Sequence, residues 1–185
     1  MLYLHGFNSS PQSQKARLFK DWFETQAGAE VLVPPLPHHP REAMTLLRGL
    51  CEGRQPVLIT GSSLGGFYAT TLAEEFACRA ALVNPAVAPQ RYLGKAFLGP
   101  QRNLYTGEEY EFTLDHATAL EELTLEGLRH PERFLVLLQS GDEVLDHRHA
   151  LAFYAGSRIV VQEGGSHAFE DFAGVLPDIQ AFADL

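Results

Sequence analysis

Residues 61–65 read Gly-Ser-Ser-Leu-Gly, with the apolar run "PVLIT" (56–60) before them and the helical-looking "FYATTLAEEFA" (67–77) behind. A serine between glycines two before and two after, on a strand-to-helix turn, can be lifted out of the backbone as a nucleophile. The spacing singles out Ser63. A phosphate cradle fits poorly, because the residue after Gly66 is Phe67 and not the lysine a P-loop requires. A dinucleotide site would want an acidic residue at the end of the next strand, and that run ends in Asn84-Pro85.

A serine hydroxyl needs a base to take its proton, and the base needs an acid to hold its tautomer. In parallel α/β enzymes with such a turn the chain order is serine, acid, histidine. "SGDEVLDHRHA" follows the run "RFLVLLQ" (133–139), and "EGGSHAFED" follows "RIVVQ" (158–162). His167 is the expected base, after Gly164 and Gly165, which free the backbone to swing the ring inward. Asp142 and Asp146 compete for the acid role. Asp146 is better placed to cap the helix in "HRHALAFYA", so Asp142 is preferred, with Glu143 a weaker third. The developing oxyanion would be held by the N–H of Leu64 and that of Phe7 in "LHGFNSS" (4–10), with His5 bracing that loop. No histidine pair has metal spacing, His147 and His149 included; neither a metal nor a cofactor is expected.

These residues need a scaffold that brings strand ends together. Six apolar runs, "LYL" (2–4), "VLVP" (31–34), "PVLIT", "AALVN" (80–84), "RFLVLLQ" and "RIVVQ", alternate with amphipathic stretches at Gln12–Gln26, Arg41–Glu52 and Leu64–Ala77, then "HRHALAFYA" and Phe172–Leu185. Strands this apolar, separated by helices, predict a mostly parallel six-stranded sheet in a three-layer α/β/α sandwich. Ser10-Pro11 and Pro40 mark expected helix starts. Residues 86–131 carry no clear strand and are expected to form a small cap-like insertion between the fourth and fifth strands of one domain, 1–185.

The totals narrow the function classes. The chain has 185 residues, 45% hydrophobic, with a formal charge of −9. That charge disfavours nucleic acid and anionic membranes, which need a basic face. No run is long and apolar enough to span a bilayer, and "MLYLHGF" has no basic leader, so a cytoplasmic protein with free Cys51 and Cys78 is expected.

The stretches "LYLHGFNSSPQSQKA", "GSSLGGFYAT", "LVNPAV", "YTGEEY", "GDEVLD" and "GGSHAF" together resemble the α/β-hydrolase superfamily, and within it the small YqiA-type esterases. The resemblance implies a trimmed hydrolase sheet and hydrolysis of short to medium acyl esters through Ser63, Asp142 and His167. An acyl-CoA thioesterase using the same residues is the alternative, and a non-catalytic binding protein of this fold is the rival of another class. The expected partner is a small acyl ester or thioester. Leu104 and Ser166 depart from the family pattern at positions that bear on substrate preference. Phe67, Tyr68, Phe97 and Tyr105 are candidates to line an acyl pocket.

Overall fold

A computed structural model describes residues 1–184. Strands β1 (Leu2–Leu4), β2 (Leu58–Ser62) and β3 (Arg79–Val83) enclose helices α1 (Gln14–Gln26), α2 (Pro40–Arg54) and α3 (Leu64–Phe76) along the chain. Then come α4 (Gln90–Ala96), the strands β4 (Gly99–Arg102) and β5 (Glu109–Phe112), and α5 (Leu114–Glu122). The chain closes with β6 (Phe134–Gln139), α6 (His147–Phe153), β7 (Arg158–Gln162) and α7 (Leu176–Ala183). Leu185, the end of the expected closing helix, lies outside the described residues.

Five strands form one parallel sheet in the order β1-β2-β3-β6-β7. Successive side chains of a strand point to opposite faces, and here both faces are apolar. Leu2, Leu4, Ile59, Leu82 and Val136 meet α2, α3 and α6, with Met44, Leu47, Leu72 and Tyr154. Tyr3, Leu58, Val83, Leu135 and Leu137 meet α1 and α7, with Phe19, Phe23 and Ile179. Each such side chain contributes about 1.5–3 kcal/mol when fully removed from water. The result is the expected three-layer sandwich.

Three local expectations change. The run 31–34 makes a single parallel bridge, Leu32 to Leu2, so the sheet has five strands and not six. Pro34 and Pro35 have no N–H to continue a ladder. Helix α1 begins at Gln14 with Ser13 as its N-cap, not at Ser10: the Ser10 hydroxyl accepts from Gln12 N–H at 3.1 Å and donates to Gln12 Oε1 at 2.8 Å, and its carbonyl accepts from Ser13 N–H, which makes a separate turn ahead of the helix. Segment 86–131 does contain strands: β4 and β5 form an antiparallel hairpin flanked by α4 and α5. Pro40 stands at the first position of α2 as expected, and His39 Nδ1 accepts from Arg41 N–H. Cys51 and Cys78 are free.

Candidate active site

Parallel strands all end at one edge of their sheet, and ligands in such sheets bind there. Ser63 follows β2 with φ 54° and ψ −121°, a left-handed conformation that a side chain adopts only under constraint. The constraint is visible. Its N–H donates to the Val83 carbonyl at 3.1 Å, and its own carbonyl accepts from Gly66 at 2.9 Å and Ala86 at 3.1 Å. The turn is so tight that a Cβ on Gly61 would collide with the Gly65 carbonyl, and one on Gly65 with the Leu4 carbonyl. Glycine at both places is therefore a steric requirement.

His167 lies beyond β7. Its Nδ1 is 2.8 Å from Asp142 Oδ2, and its Nε2 is 3.0 Å from Ser63 Oγ. A carboxylate only accepts, so Nδ1 carries the proton; Nε2 is left to accept from the serine hydroxyl. The Asp142 side chain is 2% exposed. Burial pushes its pKa up, but hydrogen bonds from His167 and from the N–H groups of Leu145 and Val144 outweigh this and hold the carboxyl below its ordinary value. It stays an anion beside the ring. Asp146 instead caps α6, accepting from Arg148 N–H at 3.0 Å and binding the Arg148 guanidinium. Glu143 accepts from the backbone N–H of His167 at 3.0 Å, so it anchors the histidine and makes no contact with the ring's Nδ1.

The position of the histidine rests on two buried amides. Asn84 directly follows β3, with its Nδ2 donating to the carbonyls of Ser166 at 3.0 Å and His167 at 3.3 Å, while its Oδ1 accepts from Gln139 N–H at 3.0 Å. Gln139 Oε1 accepts from Ser166 and Glu170 N–H groups at 3.0 and 2.8 Å, and its Nε2 donates to Gln162 and to the Glu170 carbonyl. Gly165, at φ +72°, leaves the space that the Gln139 amide occupies. Neither amide stands out in the sequence. The signal that could have found them is a polar residue closing an otherwise apolar run.

The loop after β1 completes the setting. Gly6 lies against Ser63, with the position of a Cβ only 3.4 Å from the serine's own. His5 Nε2 accepts from Leu36 N–H at 3.2 Å, and Nδ1 bonds the Gly6 carbonyl at 3.1 Å, which braces the loop. The β4–β5 hairpin holds it from the other side, through Tyr110 to Asn8 Oδ1 at 2.7 Å and Asn103 to the Ser9 carbonyl at 2.9 Å. Leu64 is the first residue of α3, where backbone N–H groups have no intrahelical partner. Gly6, Phe7, Ser63, Leu64 and His167 border one cavity of about 530 Å³. Phe97 and Tyr105 also line it. Phe67 and Tyr68 are not part of this lining but are buried in the core, 5% and 2% exposed, in one cluster with Leu4, Ile59 and Leu72.

Residues 1–184 match the Uncharacterised protein family (UPF0227). The chain belongs to the UPF0227 family. A UPF0227 protein of Serratia proteamaculans is 29% identical over 192 residues, covering all of this chain and 99% of the relative. In fold the UPF0227 chain is similar to alpha/beta hydrolase domain-containing protein 10 from mouse, with a TM-score of 0.75 at 13% identity over 99% of this chain and 88% of that one. It is also similar to the esterase domain of a Rhodothermus marinus protein, with a TM-score of 0.71 at 19% identity over 98% of this chain and 85% of that one. The architecture of this UPF0227 member is thus a trimmed α/β-hydrolase fold, as its motifs resemble. Among the described residues no helix is long and apolar enough to cross a membrane, and no cluster of three or more His, Cys, Asp or Glu could hold a metal.

Proposed function

We propose that the protein is a serine hydrolase acting on carboxylic esters. The observation that carries this reading is the unbroken relay Ser63 Oγ, His167 Nε2, His167 Nδ1, Asp142 Oδ2, with gaps of 3.0 and 2.8 Å. Ser63 Oγ attacks the acyl carbonyl as His167 Nε2 takes its proton. The carbonyl oxygen becomes an anion that accepts from the N–H groups of Phe7 and Leu64. Collapse breaks the ester bond, and His167 hands its proton to the departing alkoxide. Water then gives a proton to Nε2 and attacks the acyl-serine. The acid leaves, and Ser63 Oγ regains its hydrogen. Asp142 stays ionised throughout and stabilises the imidazolium.

Residues 86–131 act as the cap that shapes the acyl side. Leu93, Ala96, Phe97 and Tyr105 from this segment line the cavity, and the Phe97 ring packs edge-on against Phe7 with centroids 5.6 Å apart. An apolar acyl chain fits that wall. The esterase domain of similar fold is consistent with this chemistry, which rests here on the side-chain geometry. The test is labelling of the native protein with a fluorophosphonate probe, read by mass spectrometry. A single adduct on Ser63, absent from Ser63→Ala, is expected; an unlabelled native protein sinks the reading.

A further inference from the structure

The cavity beside Ser63 is uneven in charge. The chain carries 23 Asp and Glu against 14 Lys and Arg, yet among the described residues that line this cavity there is no carboxylate, and Lys15 alone is a lysine or arginine. Lys15 Nζ donates to the Ala168 carbonyl at 2.6 Å, one residue beyond His167. An ammonium has three donors, and this bond uses one. Burial draws the Lys15 pKa down from its usual value, with the Asp142 carboxylate acting in the opposite sense. A partly desolvated cation gains more from an arriving anion than one free in water does.

Its side of the cavity has a chemical meaning. His167 must deliver its proton to the leaving oxygen, so the alcohol portion of an ester leaves on the histidine side. Lys15 is bonded to the backbone on that side, whereas Leu93 and Phe97 belong to the wall that packs on Phe7.

We propose that Lys15 is a specificity residue selecting esters whose alcohol portion carries an anionic group, a carboxylate or a phosphate, while the apolar wall takes the acyl chain. This rests on the serine-hydrolase reading above. The test uses butanoyl esters that share one acid and differ in the alcohol: glycolate, its neutral counterpart glycolamide, 2-hydroxyethyl phosphate, and cationic choline. For the native enzyme kcat/KM is expected at least about tenfold higher for an anionic ester than for glycolamide, and lowest for choline, as about 1.4 kcal/mol of differential binding requires. The carboxylate and phosphate arms rank the two anions. Lys15→Met should collapse the anionic-to-neutral ratio toward one, and Lys15→Arg should keep it. Because the lysine also braces Ala168, only the ratio is diagnostic. A native enzyme without charge preference, or a Lys15→Met variant that lowers every ester in proportion, overturns the assignment of Lys15 alone. No turnover of any of the four esters overturns the serine-hydrolase reading and this inference with it.

Discussion

Asp142 points its Oδ2 at His167 Nδ1 from 2.8 Å, while Asp146, four residues on, turns away to cap α6 and pair with Arg148. The two acids flank one short turn and do separate work. Asp142→Asn should leave the fold intact but present the wrong partner to Nδ1, lowering kcat on a p-nitrophenyl ester by about 10⁴-fold. Asp146→Asn retains a capping side chain and should change kcat little. Stopped-flow or steady-state assays of the pair decide it; equal losses would dissolve the distinction.

Ser63 holds φ 54° with a side chain attached. Such a conformation costs on the order of 1–3 kcal/mol, and glycine adopts it freely at the expense of roughly 0.5–1 kcal/mol of chain entropy. Ser63→Gly should therefore melt a few degrees above Ser63→Ala, both being inactive. Calorimetry on the two variants measures the strain directly. A lower midpoint for the glycine variant would show that the turn is relaxed.

Asn84 ties the carbonyls of Ser166 and His167 to the N–H of Gln139. Asn84→Ala leaves buried groups without partners, at about 1–3 kcal/mol, and loosens the histidine. The expected signature is a fall in kcat with KM nearly unchanged, beside a lower denaturation midpoint. A change confined to KM would assign Asn84 to substrate binding.

His116, in the first turn of α5, is buried against the 38–39 loop, with its Nε2 3.1 Å from His38 Nδ1 and its Nδ1 bonded to Thr113. Burial, then the neighbouring His39 and His38, push its pKa down to about 4, with Asp115 and Glu42 opposing. Between that value and 6.5 the unfolded chain binds the proton and the folded chain does not. Stability should accordingly rise with pH across this window and decline as pH falls through it. His116→Asn should flatten that slope in urea titrations. Asp142, with a depressed carboxyl pKa, adds stability that is present above the ordinary carboxylate range and lost only at lower pH. An unchanged slope in His116→Asn would remove the histidine from the account.

Much of this molecule is legible in its residues, for physical reasons. The buried strands are apolar on both faces, so "PVLIT", "AALVN" and "RFLVLLQ" announce a covered parallel sheet. Chain order alone puts Ser63, Asp142 and His167 at the carboxyl ends of strands, because each follows such a run. What escapes is set by contacts between distant segments. "VLVP" has the composition of a strand, but Pro34 and the Pro35 that follows it stop the ladder after one bridge. The β4–β5 hairpin is half exposed and polar on one face: "EYEF" does alternate polar and apolar residues, but over only four positions, and its partner "GPQR" has no such alternation to support it. The amides of Asn84 and Gln139 take their meaning from a loop more than 25 residues away in the chain.

Strand β7 forms one margin of the sheet, and margins are where a fold breathes first. The loop it delivers is nonetheless stitched by Asn84 and Gln139 to two interior strands, so the imidazole is moored to the middle of the structure and only routed through its periphery. Fraying of β7 up to those stitches leaves the relay aligned. Loss of either amide unmoors the imidazole while most of the sheet still stands.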